Sequence, residues 1–589
     1  KFVLDAARDC AAKKVKGLII ISSGFSETGN KKDEEELLRI AKTGGCRIIG
    51  PNIVGILSNT TKANASFAPC LPFPGHTAFI TQSGALLIAI DMLTFVRRVG
   101  MSAMISNGNM SDVNFADAIE YYAKDPDTKN ITLYIEGLKD GRRFIEAGRK
   151  ANKPIVAIKS GVSARGAAAA ASHTGSLAGA AKVYDAAFRQ AHVVPAYNLD
   201  ELMDRTQALS MQPPLKGENI LVITNGGGIG VLATDAAEKH GVPLSAAPAD
   251  RQAELRKCMP DFGSAKNPVD ITGGAGLEGY EMAIECALKH DWVDGLAVLC
   301  CETAVTDPIA IAKGTILAIE KTGVRNKPVI AAFVGGERCD QAAATFSEAG
   351  IPMFGDPARA MSCFAALRMH ARFIEEGDQS DFKPFKDADK KAGQAIIDAV
   401  RKSGRTALTE PEAKKLFAAY GLPVGRAVVA KTEEEAVRLA TEIGFPLVMK
   451  IVSPDILHKS DAGGVKINIQ DVETVRTTFR TIMDNAKKYK ADADIHGILI
   501  QDMAPKGTEV ICGSINDAQF GPTVMFGLGG IFVEVLKDVT FRVAPISQNE
   551  AMDMLPGIKA YGILQGARGE KRRDQEALSE VISRISQLV

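Results

Sequence analysis

A charge excess of either sign, long apolar runs and paired cysteines are all missing from this sequence. Lys plus Arg and Asp plus Glu number 70 each, leaving a formal net charge of zero, so nothing electrostatic points to nucleic acid or a membrane surface as partner. No run of about 18 uninterrupted apolar residues occurs, and no transmembrane helix is indicated. The ten cysteines are scattered, the only close pair is the adjacent Cys300-Cys301, and C-x-x-C spacing is absent. A structural zinc site or a disulfide framework is therefore not expected, and a reducing cytoplasm suits this usage. No signal peptide is visible; the chain opens on Lys1 inside a helical pattern (FVLDAARDCAAKKV), as if cut from something longer. What is present suits a soluble multidomain enzyme: 589 residues, 46% hydrophobic and 24% charged, too long for one core, with about three to five domains expected.

Short β-rich runs alternate with amphipathic stretches almost throughout, the pattern of parallel α/β domains. Residues 1–72 read as helix, strand, helix, strand and Pro/Asn-rich turns, the second half of a nucleotide-binding fold. A degenerate repeat follows. TAFITQSGALLIAIDML (77–93) is matched by ILVITNGGGIGVLATDAA (220–237), and NKPIVAIKSG (152–161) by NKPVIAAFVGG (326–336). Between the members of each pair lie an Asn-bearing loop and a strand ending in glutamate, Glu136 or Glu302. Two flavodoxin-like domains, 73–205 and 206–375, explain this spacing and place their binding loops at the carboxyl ends of the strands. A polar linker, 376–392, leads to a β-rich domain over 393–589 closed by helices.

ASHTGSLAGAAKVYDAAFRQA puts His173 just before a Gly-Ser turn and a helix. The unpaired N–H groups and positive dipole end of a helix start hold anions. A neutral ring nitrogen beside such a site can attack phosphorus, and the helix start then holds the transferred group. The loop before the second helix of the repeat, with Gly227 and Gly228, supplies a second helix start that would converge on the same phosphate. Its glycines do not form G-x-G-x-x-G, because position 231 is Val, which counts against a dinucleotide fingerprint. A phosphohistidine needs its other ring nitrogen anchored, usually by a carboxylate, and Glu136 at a strand end is the natural partner. On the residues alone, His173 also reads as a capping residue and Glu136 as a solvated carboxylate.

SHTGSLAG, preceded by KSG (159–161) and YIEG (134–137), resembles the ADP-forming acetyl-CoA (acyl-CoA) synthetases, relatives of succinyl-CoA synthetase. GFSETG (24–29), GPN-x-x-G (50–55), TQSGAL (81–86), NPVD (267–270), HKSDAGGV (458–465) and FGLGGIFVEVLKDV (526–539) follow in the family's order. The resemblance implies a multidomain α/β protein: part of a Rossmann-like CoA-binding domain, two flavodoxin-like domains and an ATP-grasp domain. It implies the reaction acyl-CoA + ADP + phosphate ⇌ carboxylic acid + CoA + ATP, with ATP/ADP, CoA and Mg²⁺, through an acyl phosphate and phospho-His173 steadied by Glu136. Gln82, Ser83 and Gly84 would sit by the acyl group or phosphate, with Asn107 and Asn109 nearby, and Ser22, Ser23 and Asn52 would touch CoA. Lys450 matches a lysine on nucleotide phosphate, Gln501, Asp502 and Met503 the segment at adenine, and Glu509 the ribose contact. His458 matches a second phosphoryl carrier, which two sites in separate domains would need.

Three departures stand out. The Gly-rich loop that grips the CoA diphosphate would precede residue 1, position 53 is Ile where many relatives carry Cys, and the family's Asp-Ile-Asn-Pro segment that helps bind Mg²⁺ would follow residue 589. The parent is expected to extend at both ends, and no metal ligand is assigned. Expected partners are small molecules (carboxylic acid, CoA, phosphate, ADP) and further copies of the chain in a homo-oligomer. The competing reading is a non-catalytic CoA- and nucleotide-sensing platform of the kind fused to protein acetyltransferases. That branch often loses the histidine, whereas His173, Glu136 and His458 all remain here. Lys450 also reads as an exposed strand lysine, Gly529-Gly530 as a tight turn and His458 as a surface-loop residue.

Overall fold

The computed structural model describes residues 2–163, 165–166, 181–377, 382–530, 533 and 535–589. They form two compact units, Lys1–Gln379 with Asp517–Gly521, and Ser380–Asn516 with Pro522–Val589.

After a helix at Val3–Ala12, the first unit forms a parallel pair, β1 (Gly17–Ile19) and β2 (Arg47–Ile49). Between them runs the helix Lys31–Gly44, started by the Asn30 side chain accepting from Asp33 N and stopped by Gly45 in the left-handed conformation. Its Leu37, Ile40 and Ala41 pack on Phe25 and Ile48.

A seven-stranded sheet follows, in the order β4-β3-β6-β5-β7-β8-β9. Its parallel part comprises β5 (Pro74–Thr81), β6 (Met101–Ser106), β7 (Asn130–Ile135), β8 (Ile155–Lys159) and β9 (Val193–Ala196). These strands read as near-continuous apolar runs because helices cover both faces. The antiparallel β3 (Gly55–Ser58) and β4 (Ala63–Ser66) extend it through pairing of β3 with β6. Residues 55–66, grouped by sequence with the amino-terminal piece, thus belong by hydrogen bonding to this sheet.

The second sheet is five-stranded and all parallel, in the order β11-β10-β12-β13-β14. Its strands are β10 (Ile220–Thr224), β11 (Val269–Asp270), β12 (Gly295–Cys301), β13 (Val329–Val334) and β14 (Met353–Phe354). The parallel strands of both sheets follow the 2-1-3-4-5 order of flavodoxin-like domains, whose ligand crevice opens where the order reverses, between the first and third strands. That point is β5/β7 in one sheet and β10/β12 in the other. One apolar cluster, including Phe79, Leu87, Leu202, Ile220, Ile229 and Phe364, runs through both domains.

The second unit holds a four-stranded antiparallel sheet, β15-β18-β16-β17 (Ala427–Ala430, Gly497–Asp502, Leu447–Val452, Val465–Ile469). A three-stranded sheet, β19-β20-β21 (Val510–Asp517, Gly521–Leu528, Val539–Val543), has a separate core. The linker expected over 376–392 ends sooner, since Asp389 caps a helix at Lys390–Lys402.

Candidate functional site

Gln82 follows β5 and Glu136 follows β7, so both stand at the crevice of the first flavodoxin-like sheet. Gln82 Oε1 accepts from the backbone N–H groups of Glu136 (2.6 Å) and Gly137 (3.0 Å), tying the two strand ends together. Ser83 caps the helix Gly84–Arg97, its hydroxyl accepting from Leu86 N, and Gly84 lies against Val54, where a Cβ would approach to 3.0 Å.

A cavity of about 460 Å³ opens here, lined by Asn52, Gln82, Asn109 and Glu136 together with Ser26, Lys31, Glu34, Lys139 and Gln519 of the same unit. The loop after β6 is pinned against the 48–51 segment by Asn109 N to Pro51 O (3.0 Å), Ser111 N to Gly50 O and Val113 N to Ile48 O. Gly108 has φ +51°, and a Cβ there would stand 2.3 Å from Pro51 O, so only glycine fits. The Asn109 amide donates to Glu27 Oε2 (2.5 Å), Glu34 Oε2 (2.9 Å) and Ser26 Oγ (3.2 Å), and its oxygen accepts from Asn52 Nδ2 (3.3 Å). Burial alone would raise the pKa of Glu34, but hydrogen bonds led by that from the Ser26 hydroxyl outweigh it and hold the carboxyl below its usual range. Glu27 is lowered likewise, burial being outweighed by Asn109 and by backbone donors. Both carboxylates are thus spent on shaping the loop.

Asn107 is fully buried, and its carboxamide has no hydrogen-bond partner among the described residues. Ser22 and Ser23 are exposed, with Ser22 O accepting from Asn52 N (3.0 Å). Gly227 and Gly228 are exposed at the start of the helix Gly227–His240 and do not line the cavity. His173 lies outside the described residues.

Sequence reasoning assigned no role to Glu27, Glu34 or Lys159. Lys159, at the end of β8, is 8% exposed, and its ammonium sits 4.8 Å from the centre of the Tyr184 ring and donates to Ser160 O. Burial lowers its pKa, with the charge of Glu136 pulling the other way. Its only signal was a place in the KSG string.

In the second unit Lys450 leaves β16 to pair with Glu410 Oε1 (2.8 Å), and Lys459 approaches Glu410 Oε2 (3.6 Å). Lys414 donates to Gln501 Oε1 (3.0 Å) on the neighbouring β18. Lys450 on β16, Lys414 on the helix Glu410–Ala419 and Lys459 in the connection after β16, with one counter-carboxylate and the backbone at Asp502 and Met503, suit a polyphosphate and a base. Met503 is 38% exposed and donates its N–H to Pro446 O. Glu509 is exposed, its carbonyl accepting from Gly529 N (2.8 Å). His458 is exposed in the connection between β16 and β17, where turns from His458 O to Ala462 N and from Lys459 O to Gly464 N fold the segment on itself.

Family profiles match along the chain: a succinyl-CoA ligase-like flavodoxin domain at 74–209, a ligase-CoA domain at 220–373 and an ATP-grasp domain at 399–589. The chain is 37% identical to acetate–CoA ligase [ADP-forming] I of Archaeoglobus fulgidus, over all of this chain and 84% of that protein. It is 36% identical to the ADP-forming 4-hydroxybutyrate–CoA ligase of Nitrosopumilus maritimus, over all of this chain and 84% of that one. A solved dinucleotide-forming acetyl-coenzyme A synthetase 1 of Ca. Korarchaeum cryptofilum, in complex with phosphate and ADP, superimposes with a TM-score of 0.63 at 41% identity. It covers 65% of this chain and 83% of its own.

Proposed function

The chain belongs to the ADP-forming acyl-CoA synthetase family and is an acid–CoA ligase, and on that premise we propose how its residues divide the work. The reaction is acyl-CoA + ADP + phosphate ⇌ carboxylic acid + CoA + ATP. The observation carrying this reading is the meeting of Asn52, Gln82, Asn109 and Glu136 in one cavity at the β5/β7 crevice.

A phosphate oxygen attacks the acyl carbonyl and the CoA thiolate leaves, giving an acyl phosphate. Asn109, held by Asn52, Glu27 and Glu34, and the Gln82 bridge fix the geometry of that step. Asn107, expected near the acyl group, is instead fully buried beneath the loop and does not line the cavity, so it would support Asn109 rather than touch the ligand. A ring nitrogen of His173 then takes the phosphoryl group while the carboxylate departs, and Glu136 anchors the opposite ring nitrogen. His458 receives the group from His173 and passes it to ADP held at Lys450, with Gln501, Asp502 and Met503 at the base and Glu509 at the ribose. Ser22 and Ser23 face CoA. Mg²⁺ belongs with the nucleotide in this reading and would neutralise phosphate charge. No side chain of the chain is assigned to it.

Full-length protein incubated with γ-labelled ATP and Mg²⁺ should acquire an acid-labile, base-stable label. His458→Ala should abolish labelling from ATP yet spare labelling of His173 from acyl-CoA plus labelled phosphate. Label that persists in the His173→Ala/His458→Ala double variant refutes the reading. Nucleotide binding without any labelling identifies a sensing platform instead.

A further inference from the structure

Three side chains with metal-binding atoms, and a fourth on the adjoining turn, come together on the second flavodoxin-like domain, outside the cavity at the β5/β7 crevice. The helix Ala249–Leu255 runs on into the tight turn Arg256–Cys258, and the helix Leu277–Lys289 ends at His290. Glu254 and Cys258 are four residues apart on the first segment, Cys286 and His290 four apart on the second. That spacing puts each pair on one helix face, and the two segments pack together.

His290 Nε2 stands 2.7 Å from Glu254 Oε2 and 3.8 Å from Cys286 Sγ. Ligand atoms of Glu254, Cys286 and His290 all lie within 4.8 Å of one another, and the Cys258 thiol, on the adjoining turn, reaches the backbone oxygen of Glu254 at 3.9 Å. Around a tetrahedral zinc ion with bonds of about 2.0–2.3 Å, neighbouring ligand atoms stand about 3.3–3.8 Å apart. The separations of 2.7 and 3.8 Å at His290 Nε2 bracket that spacing.

The surroundings hold the donors in place. Arg251 Nη1 binds Glu254 Oε1 (3.2 Å), leaving Oε2 to face the imidazole. Lys327 Nζ donates to the backbone oxygens of His290 (2.6 Å) and Leu288 (3.1 Å), fixing the end of the helix. The His290 side chain is only 14% exposed.

We propose that Glu254, Cys258, Cys286 and His290 form a binding site for a zinc-like divalent cation. Two thiols and an imidazole select a borderline-soft ion over Mg²⁺ or Ca²⁺. Four protein donors leave no open position, so the ion ties the two helical segments together and does no chemistry. The proposal is independent of the ligase mechanism.

Reduced full-length protein, stripped with a chelator and titrated with Co²⁺, should bind one equivalent at this site. The expected signature is the strong visible absorption of a four-coordinate ion plus a thiolate-to-cobalt charge-transfer band, both erased by Zn²⁺. Cys258→Ser/Cys286→Ser should remove the charge-transfer band, while Cys301→Ser should leave the titration unchanged. Glu254→Gln and His290→Gln, which keep both thiols, should each raise the Co²⁺ dissociation constant by about tenfold or more. They decide the matter should the double cysteine variant fail to fold. No saturable band at one equivalent, a band surviving loss of both cysteines, or unaltered affinity in both of the single variants overturns the proposal.

Discussion

Replacing Gln82 by alanine removes the acceptor shared by two backbone donors, Glu136 N and Gly137 N. A lost hydrogen bond whose donor finds water again costs about 0.5–1.5 kcal/mol, and one left dry about 1–3 kcal/mol. Glu136 is 7% exposed, but the adjoining cavity of about 460 Å³ has room for water. The lower figure therefore applies to each bond, and Gln82→Ala should lose about 1–3 kcal/mol. The greater effect should be on rate. Freed from the bridge, the strand end carrying Glu136 shifts, and a displacement of about 1 Å in a reacting group costs on the order of 100-fold. Phosphorylation of the enzyme from acyl-CoA and phosphate, followed by rapid quench, should slow by about 10- to 100-fold. Gln82→Glu separates the two effects. Its carboxylate still accepts both N–H groups, so thermal stability should hold, while its charge repels Glu136 and the incoming phosphate, so the rate should still fall. Parental stability together with a parental rate in Gln82→Ala would refute the bridging role.

Two further outcomes rest on individual ion pairs. Asp204 is 5% exposed and clamped by Arg359 through Nε to Oδ2 (2.6 Å) and Nη2 to Oδ1 (2.5 Å). Asp204→Ala strands a half-buried guanidinium and should cost about 3 kcal/mol in urea unfolding of the first unit, whereas Asp204→Leu with Arg359→Met should be close to neutral; an unchanged midpoint in the single variant contradicts this. In the second unit, hydrogen bonds from Arg405 hold Glu412 at about 2, well under its ordinary 4.5, with burial opposing and Thr409 assisting. A carboxyl depressed in the folded state stabilises above its unfolded pKa and loses that contribution as pH falls through the folded one. The window is pH 4.5 down to about 2, and the contribution is about 1 kcal/mol after solvent screening. Glu412→Gln should flatten acid unfolding across that window, and identical acid transitions in the two proteins would contradict the assignment.

The parallel architecture was legible because buried parallel strands write themselves as short apolar runs and their helices as 3.6-residue patterns. Glu136 was legible for the same reason, since a polar residue just past an apolar strand falls at the binding edge of such a sheet, whereas Gln82 came only from the resemblance carried by TQSGAL. Glu34 was not. On the helix Lys31–Gly44 it resembles its solvated neighbours Glu35 and Glu36, and only the fold brings Asn109, 75 residues away, onto its carboxylate. Lys450 came from the family resemblance, but its partner Glu410 lies 40 residues upstream and nothing local announces the pair. The strands Gly55–Ser58 and Ala63–Ser66 are short and partly polar, so their membership of the larger sheet could not be read from pattern. The grouping of Glu254, Cys258, Cys286 and His290 escaped a search for close cysteine pairs because its four donors come as two helical i, i+4 pairs.

The two flavodoxin-like domains share a plan, and their crevices differ in which carboxylates hold the loops. In the second domain Asn225, past β10, exchanges two hydrogen bonds with the backbone of Cys301 (2.8 and 2.9 Å) at the end of β12. That is the counterpart of the Gln82 bridge, made with a side chain one methylene shorter. The next residue, Glu302, corresponds to Glu136, but its Oε2 accepts from Gly336 N (2.6 Å) and from the Cys339 thiol (3.6 Å). The thiol is pushed up to about 12 by burial and by that carboxylate. A Cβ at position 335 would collide with Glu302 Oε2 at 2.3 Å, so the glycine there lets the loop close over the carboxylate. The second crevice therefore consumes its own glutamate in holding a loop. In the first, comparable loop-holding falls to Glu27 and Glu34, drawn from the amino-terminal piece. Glu136 lines the cavity beside them, the position that the proposed anchoring of His173 requires.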